Sequence, residues 1–264
     1  MTARRGIRVF SLGYLAVILV APVGLIFWRA FEHGLHPFWA AISNPIAVHA
    51  LKLTVEITLI AVPANTIFGI LCALAIVRHR IPGMGLVNAF VDLPLALSPV
   101  VVGLALYLLY GREGWFGHWL LGHGIQVLFA LPAMVLATTF VSLPFVVREV
   151  VPVLREIGTQ QEEAAATLGA SALTTFRRIT LPAIRWAVAY GVVLTTARSL
   201  GEFGAVSIVS GGIAGRTQTL TQYVQASYEN FDQTGAYAAS VLLAALAITT
   251  LLAMTVVRRG NRSA

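Results

Sequence analysis

Five charged residues stand inside or at the edge of long apolar runs: Lys52, Glu56, Asp92, Arg198 and Glu202. Charge in such surroundings is costly, so each needs a partner or a task. Arg198 and Glu202 are four residues apart in TTARSLGEFGA and meet on one face if the segment is helical. Two chemistries fit them. A mutually neutralised pair would fix helix packing. Alternatively, Arg198 would lend positive field to an anion path while Glu202 holds its geometry. Thr195, Thr196 and Ser199 add hydroxyls to the same segment, and Gly201 and Gly204 permit close approach or local unwinding. A tetrahedral oxyanion would favour such donors and a moderate field that does not trap it. Lys52 and Glu56 share the four-residue spacing, which predicts a local ion pair. Asp92 lies about 6 Å into its apolar run, where a helix cap or contact is expected.

Other chemistries find little support. The six histidines, His33, His36, His49, His79, His118 and His123, fall in polar connections. The pairs His33/His36 and His118/His123 have metal-compatible spacing, but loop histidines are ordinarily solvated. Cys72 is the single cysteine, which excludes an intramolecular disulfide and a site built on several thiolates. A phosphate-binding loop of the G-x-x-x-x-G-K-[ST] type needs a lysine after glycines. The single lysine is Lys52, in HALKLT, with no glycine before it. The chain therefore has no Walker-type nucleotide site, and no catalytic, cofactor or metal site is expected.

The elements that must position these residues follow from hydropathy. Of 264 residues, 58% are hydrophobic and 11% charged, with mean hydropathy +0.82. A soluble domain carries roughly a quarter charged residues. A bilayer core requires about 20 mostly apolar residues as helix. Six segments meet that length, near 10–31, 53–77, 88–110, 127–147, 184–209 and 237–257. They are too long for barrel strands. The expected fold is all-α: one polytopic helical bundle over residues 1–264 with six transmembrane helices. The basic start of the first span suggests a signal peptide, but no A-x-A site ends it, so an uncleaved helix is expected. Thirteen of the 18 Lys and Arg residues fall in one set of connections and termini, four in the opposite set, and Arg198 within a span. Both termini are thus expected in the cytoplasm. The net charge of +7 then faces anionic lipid headgroups, and no basic soluble domain remains to hold nucleic acid. Pro63, Pro94, Pro99, Pro132 and Pro144 lie within spans. They predict kinks from irregular packing, or a bundle built around a path.

One inner connection, 155–182, is long, polar and helix-prone. In it Thr159-Gln160-Gln161-Glu162 has the form of a capping box, and Glu163 adds charge where a helix N-terminus favours it. Ala164, Ala165, Ala166 and Leu168 continue the helix, and Gly169 suits a left-handed cap. Ser171 can cap a second short helix through Phe176 to Ile179, and Pro182 suits the start of the next span. A solvated loop, a DNA-binding helix-turn-helix and a docking element all fit this outline. Docking fits its place best, since a recognition helix would lie against the bilayer. Leu168, Leu173 and Phe176 would anchor it in a groove of a partner.

Glu163-Ala164-Ala165, Gly169 and Ile179-x-Leu181-Pro182 at their observed spacing resemble the EAA motif of ABC importer membrane subunits. That resemblance implies a type I importer-like fold with a coupling helix pair seated in a cleft of an ATPase subunit. The segment from Ala197 to Val206 is similar to one typical of sulfate and molybdate permeases. Asp92-Leu93-Pro94, Ser98-Pro99-Val100-Val101, Pro144 to Glu149 and Arg185-Trp186-Ala187 fit the sulfate/thiosulfate branch, nearest its W-type subunits. The likeness covers about residues 10–257. It implies a bacterial inner-membrane complex with a second, non-identical permease, an ABC ATPase dimer that binds the ATP, and a periplasmic oxyanion-binding protein. The expected cargo is sulfate or thiosulfate. Molybdate and tungstate relatives share much of the pattern, and an autonomous channel or membrane enzyme is the rival of a different class.

Overall fold

The longest described helix is α3 (Pro45–Arg78), and its local chemistry explains its length. Asn44 accepts from the Ile46 amide at 3.0 Å, and Pro45 occupies the first turn. Thr54, Thr58 and Thr66 each return a hydroxyl to the carbonyl four residues earlier, so these polar groups are satisfied within the rod. The computed structural model describes residues 2–79 and 83–262, and every regular element in it is a helix.

Five helical spans are long and apolar enough to cross a membrane. They belong to α1 (Thr2–Phe31), α3, α7 (Leu131–Ser142) continued by α8 (Pro144–Ile157), the stretch Ala172–Leu200 that ends in α11 (Leu181–Leu200), and α14 (Gln233–Arg262). A sixth is the pair α4 (Met84–Ala96) and α5 (Pro99–Tyr110), which turns through 109°. The expected single rod over 88–110 is therefore corrected. Pro99 disfavours helical backbone at the residue before it, and Ser98 is extended at ψ 136°.

The expected rod over 184–209 is also interrupted. It ends at Leu200, and a separate α12 (Gly204–Ser210) follows Gly201-Glu202-Phe203. The fourth span begins at Leu131 rather than Val127 and continues to Ile157. Connections expected to be loops hold α2 (Leu35–Ile42), α6 (Gly117–Gly122) and α13 (Leu220–Glu229). The last starts at a capping box between Thr219 and Gln222. That T-x-x-Q signal is present in the sequence and was missed there.

α3 is the central post. α7, α8 and α11 pack along it, and α13 covers its first turns. Val146 of α8 is the knob between two glycines. A Cβ on Gly69 of α3 would lie 2.7 Å from the Val146 Cβ, and one on Gly191 of α11 would lie 2.9 Å from its Cα. Lipid tails are as apolar as leucine, so close backbone approach holds such helices together more than water expulsion does. Ala73, Val146, Val150, Leu154 and Ile184 form the core at one end. Leu53, Ile57, Val102, Met134, Val206 and Val209 form it towards the other. α1 lies at the margin, packed on α14 and α2, with no buried residue in its most apolar stretch.

Candidate functional site

The break in the fifth span is organised by one carboxylate. Glu202 Oε1 accepts from the Ala205 amide at 2.8 Å, so this side chain caps α12. Its other oxygen lies 2.7 Å from Arg198 Nη1, with side-chain exposures of 2% for Glu202 and 31% for Arg198. The Glu202 carbonyl, released by the end of α11, accepts from Thr221 Oγ1 at 3.0 Å. Backbone groups freed where a membrane helix breaks must find partners. Here Glu202 and α13 supply them.

The residues around the pair do not share one surface. Thr195 and Ser199 are buried, whereas Arg198 and Thr196 reach partly open positions. The Thr195 and Thr196 hydroxyls donate to the Gly191 and Val192 carbonyls at 2.8 Å, so their protons are already engaged. Ser199 joins a buried polar seam: Asn65 Nδ2 donates to Ser142 Oγ at 2.8 Å, and Ser199 Oγ approaches the same oxygen at 3.5 Å. A void of about 10 Å³ lies among Thr54, Thr138, Ser199, Glu202 and Thr219. The open positive group at the break is thus Arg198, tethered on one side.

Distant segments meet around it. Gly204 sits so close to the bend of the third span that a Cβ there would lie 2.9 Å from Pro99 Cβ. The two interrupted spans therefore touch at their breaks. Asp92 Oδ1 accepts from Arg148 Nε at 2.9 Å, joining α4 to α8, with both side chains about half exposed. This is the helix contact expected of Asp92. Among the described residues no ion pair joins Lys52 to Glu56, and that expectation is corrected: both are exposed, where solvation competes with a weak attraction.

The second site is the elbow at the end of the bundle where α3 finishes. It consists of α9 (Gln160–Thr167), α10 (Ala172–Thr175) and a π-helical turn over Phe176–Thr180 that runs into α11. Gly169 has φ +82°, with the Ala170 amide bonded to the Ala165 carbonyl and the Gly169 amide to Ala166, both at 3.0 Å. This is a Schellman cap. Ser171 accepts from the Thr174 amide at 3.3 Å, and Pro182 lies in the first turn of α11. The expected capping box does not form: Thr159 makes no side-chain cap. Glu162 turns away from it to Arg78, 2.9 Å from Nε, and to Thr180, whose hydroxyl donates at 2.7 Å. A part-buried cation and a buried hydroxyl outcompete a solvated amide.

Glu163, Ala164, Leu168 and Gly169 lie on the exposed side of the elbow, with Ala165, Phe176, Ile179 and Leu181 half-buried behind it. Leu168 is 88% exposed and Leu173 65%, an apolar crown on a rigid turn. Sequence reasoning missed Arg78 as the partner of Glu162, because 84 residues separate them and no local pattern links them.

Residues 65–263 match the family described as binding-protein-dependent transport system inner membrane component. The chain belongs to that family. It is a multi-pass membrane protein and a membrane component of a transport system. It is 49% identical to the sulfate transport system permease protein CysW of Synechocystis sp., over 92% of this chain and 88% of that one. Identity to CysW of Escherichia coli is 50%, over 89% of this chain and 81% of that one. CysT of the same organism is 39% identical, over 89% and 85%. Among solved structures, a bacterial ABC transporter that imports alginate aligns with TM-score 0.79 over 97% of this chain and 95% of that one. At 18% identity, that likeness speaks to the fold.

Proposed function

We propose that the chain is a membrane-spanning permease subunit of an ATP-driven importer for sulfate and thiosulfate. The observation that carries this reading is 48–50% identity to proteins named sulfate permeases along about nine-tenths of the chain. The geometry supports it at two places. The elbow offers Leu168 and Leu173 on a rigid turn, the form a helix-in-groove contact requires. Arg198 offers a tethered positive charge at a broken span.

In this reading an ABC ATPase dimer holds the ATP and grips the elbow through Glu163, Ala164, Ala165, Leu168 and Gly169. Phe176, Ile179, Leu181 and Pro182 carry the movement into α11. A second permease of the CysT kind completes the pathway, and a periplasmic oxyanion-binding protein delivers the anion to the opposite end. The excess of basic residues on the elbow side favours cytoplasmic termini in a bacterial inner membrane. The spans then rock between inward and outward openings. Arg198 attracts the oxyanion while Glu202 weakens its hold, so the ion enters and leaves.

The test is ATP-driven uptake of labelled sulfate by the full complex in vesicles. Gly169→Val forces a β-branched residue into left-handed backbone, although nothing lies within 4 Å of the added atom. Uptake should fall at least tenfold; unchanged uptake with normal assembly would remove the elbow from coupling. Arg198→Ala should abolish uptake while the ATPase still co-purifies. Loss of assembly instead would make the pair structural only. Unlabelled thiosulfate should compete as well as sulfate does, ahead of molybdate and tungstate.

A further inference from the structure

One charged pair ties the elbow to the membrane helices, and it is the only such tie among the described residues. Arg78 is the last residue of α3. It donates to the Leu154 carbonyl at 3.2 Å and to the Gly158 carbonyl at 2.8 Å, which gathers the end of α8. The same guanidinium holds Glu162, in the first turn of α9, with Nη2 donating to Oε1 at 3.2 Å and Nε 2.9 Å from Oε2. Glu162 Oε1 also receives the hydroxyl of Thr180, the last residue of the π-helical turn, which is 3% exposed. Side-chain exposure is 13% for Arg78 and 21% for Glu162. Four segments thus converge on two side chains.

The surroundings give this convergence its purpose. An open cleft of about 450 Å³ lies between the elbow and α3, lined by Leu74, Arg78, Glu162, Ala166, Phe176 and Thr180. Close packing is therefore absent on that side, and the polar cluster bridges the gap. π-helical turns are uncommon insertions that often mark functional positions. Without a tie, a push on α9 would bend that turn instead of moving α11.

We propose that Arg78 and Glu162 form a latch that stays closed through the transport cycle, making the elbow, α3, α8 and α11 move as one lever. These are positioning residues, and the inference rests on the docking role proposed for the elbow. The latch transmits movement; the crown of Leu168 and Leu173 makes the grip.

The experiment uses the complete complex in vesicles and reads two quantities separately: ATPase retained on the permease, and labelled sulfate moved per ATP hydrolysed. In the Glu162→Gln complex the ATPase should be retained, and sulfate moved per ATP should fall about tenfold. In a Cys72→Ser background, the double variant Arg78→Cys and Glu162→Cys should show the same loss. A short bismaleimide bridging the two cysteines should restore most of it, because a covalent link replaces the tie that the ion pair makes. If Glu162→Gln prevents assembly, the bridged pair decides. Unchanged sulfate per ATP in Glu162→Gln, or uptake blocked by the bridge, would overturn the latch. Failure of the docking reading looks different: there Leu168→Asp would leave ATPase retention at the wild-type level.

Discussion

Among the described residues two glutamate–arginine pairs are at least partly buried, unlike the exposed Arg29–Glu32, and they do opposite things to the chain. Glu202 and Arg198 are four residues apart, and their carboxylate caps the helix that starts after the break in the chain. Glu162 and Arg78 are 84 residues apart, and they bind separate segments into one body. The first pair makes a joint in the membrane. The second removes one at its edge. In both, the carboxylate has a second bond that sets the outcome: to the Ala205 amide in one case, to the Thr180 hydroxyl in the other. A shared charge pair therefore says little about role until its remaining lone pairs are accounted for.

Removing the carboxylates in turn tests that contrast, and the effects should decrease in a fixed order. Glu202→Ala should cost most, about 2–4 kcal/mol in unfolding measured in micelles, somewhat below a fully buried pair because Arg198 is partly open. It removes a cap and leaves a cation unpaired at once. Glu202→Gln should recover part of this, since an amide oxygen can still accept from Ala205. Glu162→Gln should cost about 1–2 kcal/mol by the same measurement, because Arg78 keeps two carbonyl partners and the Thr180 bond survives. A larger loss at Glu162 than at Glu202 would reverse the assignment of joint and tie. Asp92→Asn should cost least, under about 1 kcal/mol, as befits a half-exposed pair. A loss near that of Glu162 would place the α4–α8 contact on the same footing as the latch.

Much of this was legible beforehand. Hydropathy indicated five to six membrane helices, since each must be long enough to cross hydrocarbon, but not where they bend. The elbow was legible because Gly169, Ser171 and Pro182 act through their own backbone. The ion pair at Arg198 was legible because four residues on a helix meet by geometry alone. Lys52 and Glu56 have the same spacing without pairing, so spacing permits contact and surroundings decide it. The hydroxyls of Thr195 and Ser199 looked like donors for an anion, yet they face the interior. Nothing in a one-dimensional pattern says which side of a uniformly apolar helix is covered.

By itself, then, the sequence determined a membrane-embedded helical bundle with a capped elbow, because apolar length and capping chemistry are properties of neighbouring residues. The tertiary structure decided where the third and fifth spans break and touch, and that Glu162 leaves its own helix for Arg78. Those outcomes depend on which distant groups compete for each backbone amide, carbonyl and carboxylate, and only the folded chain brings the competitors together.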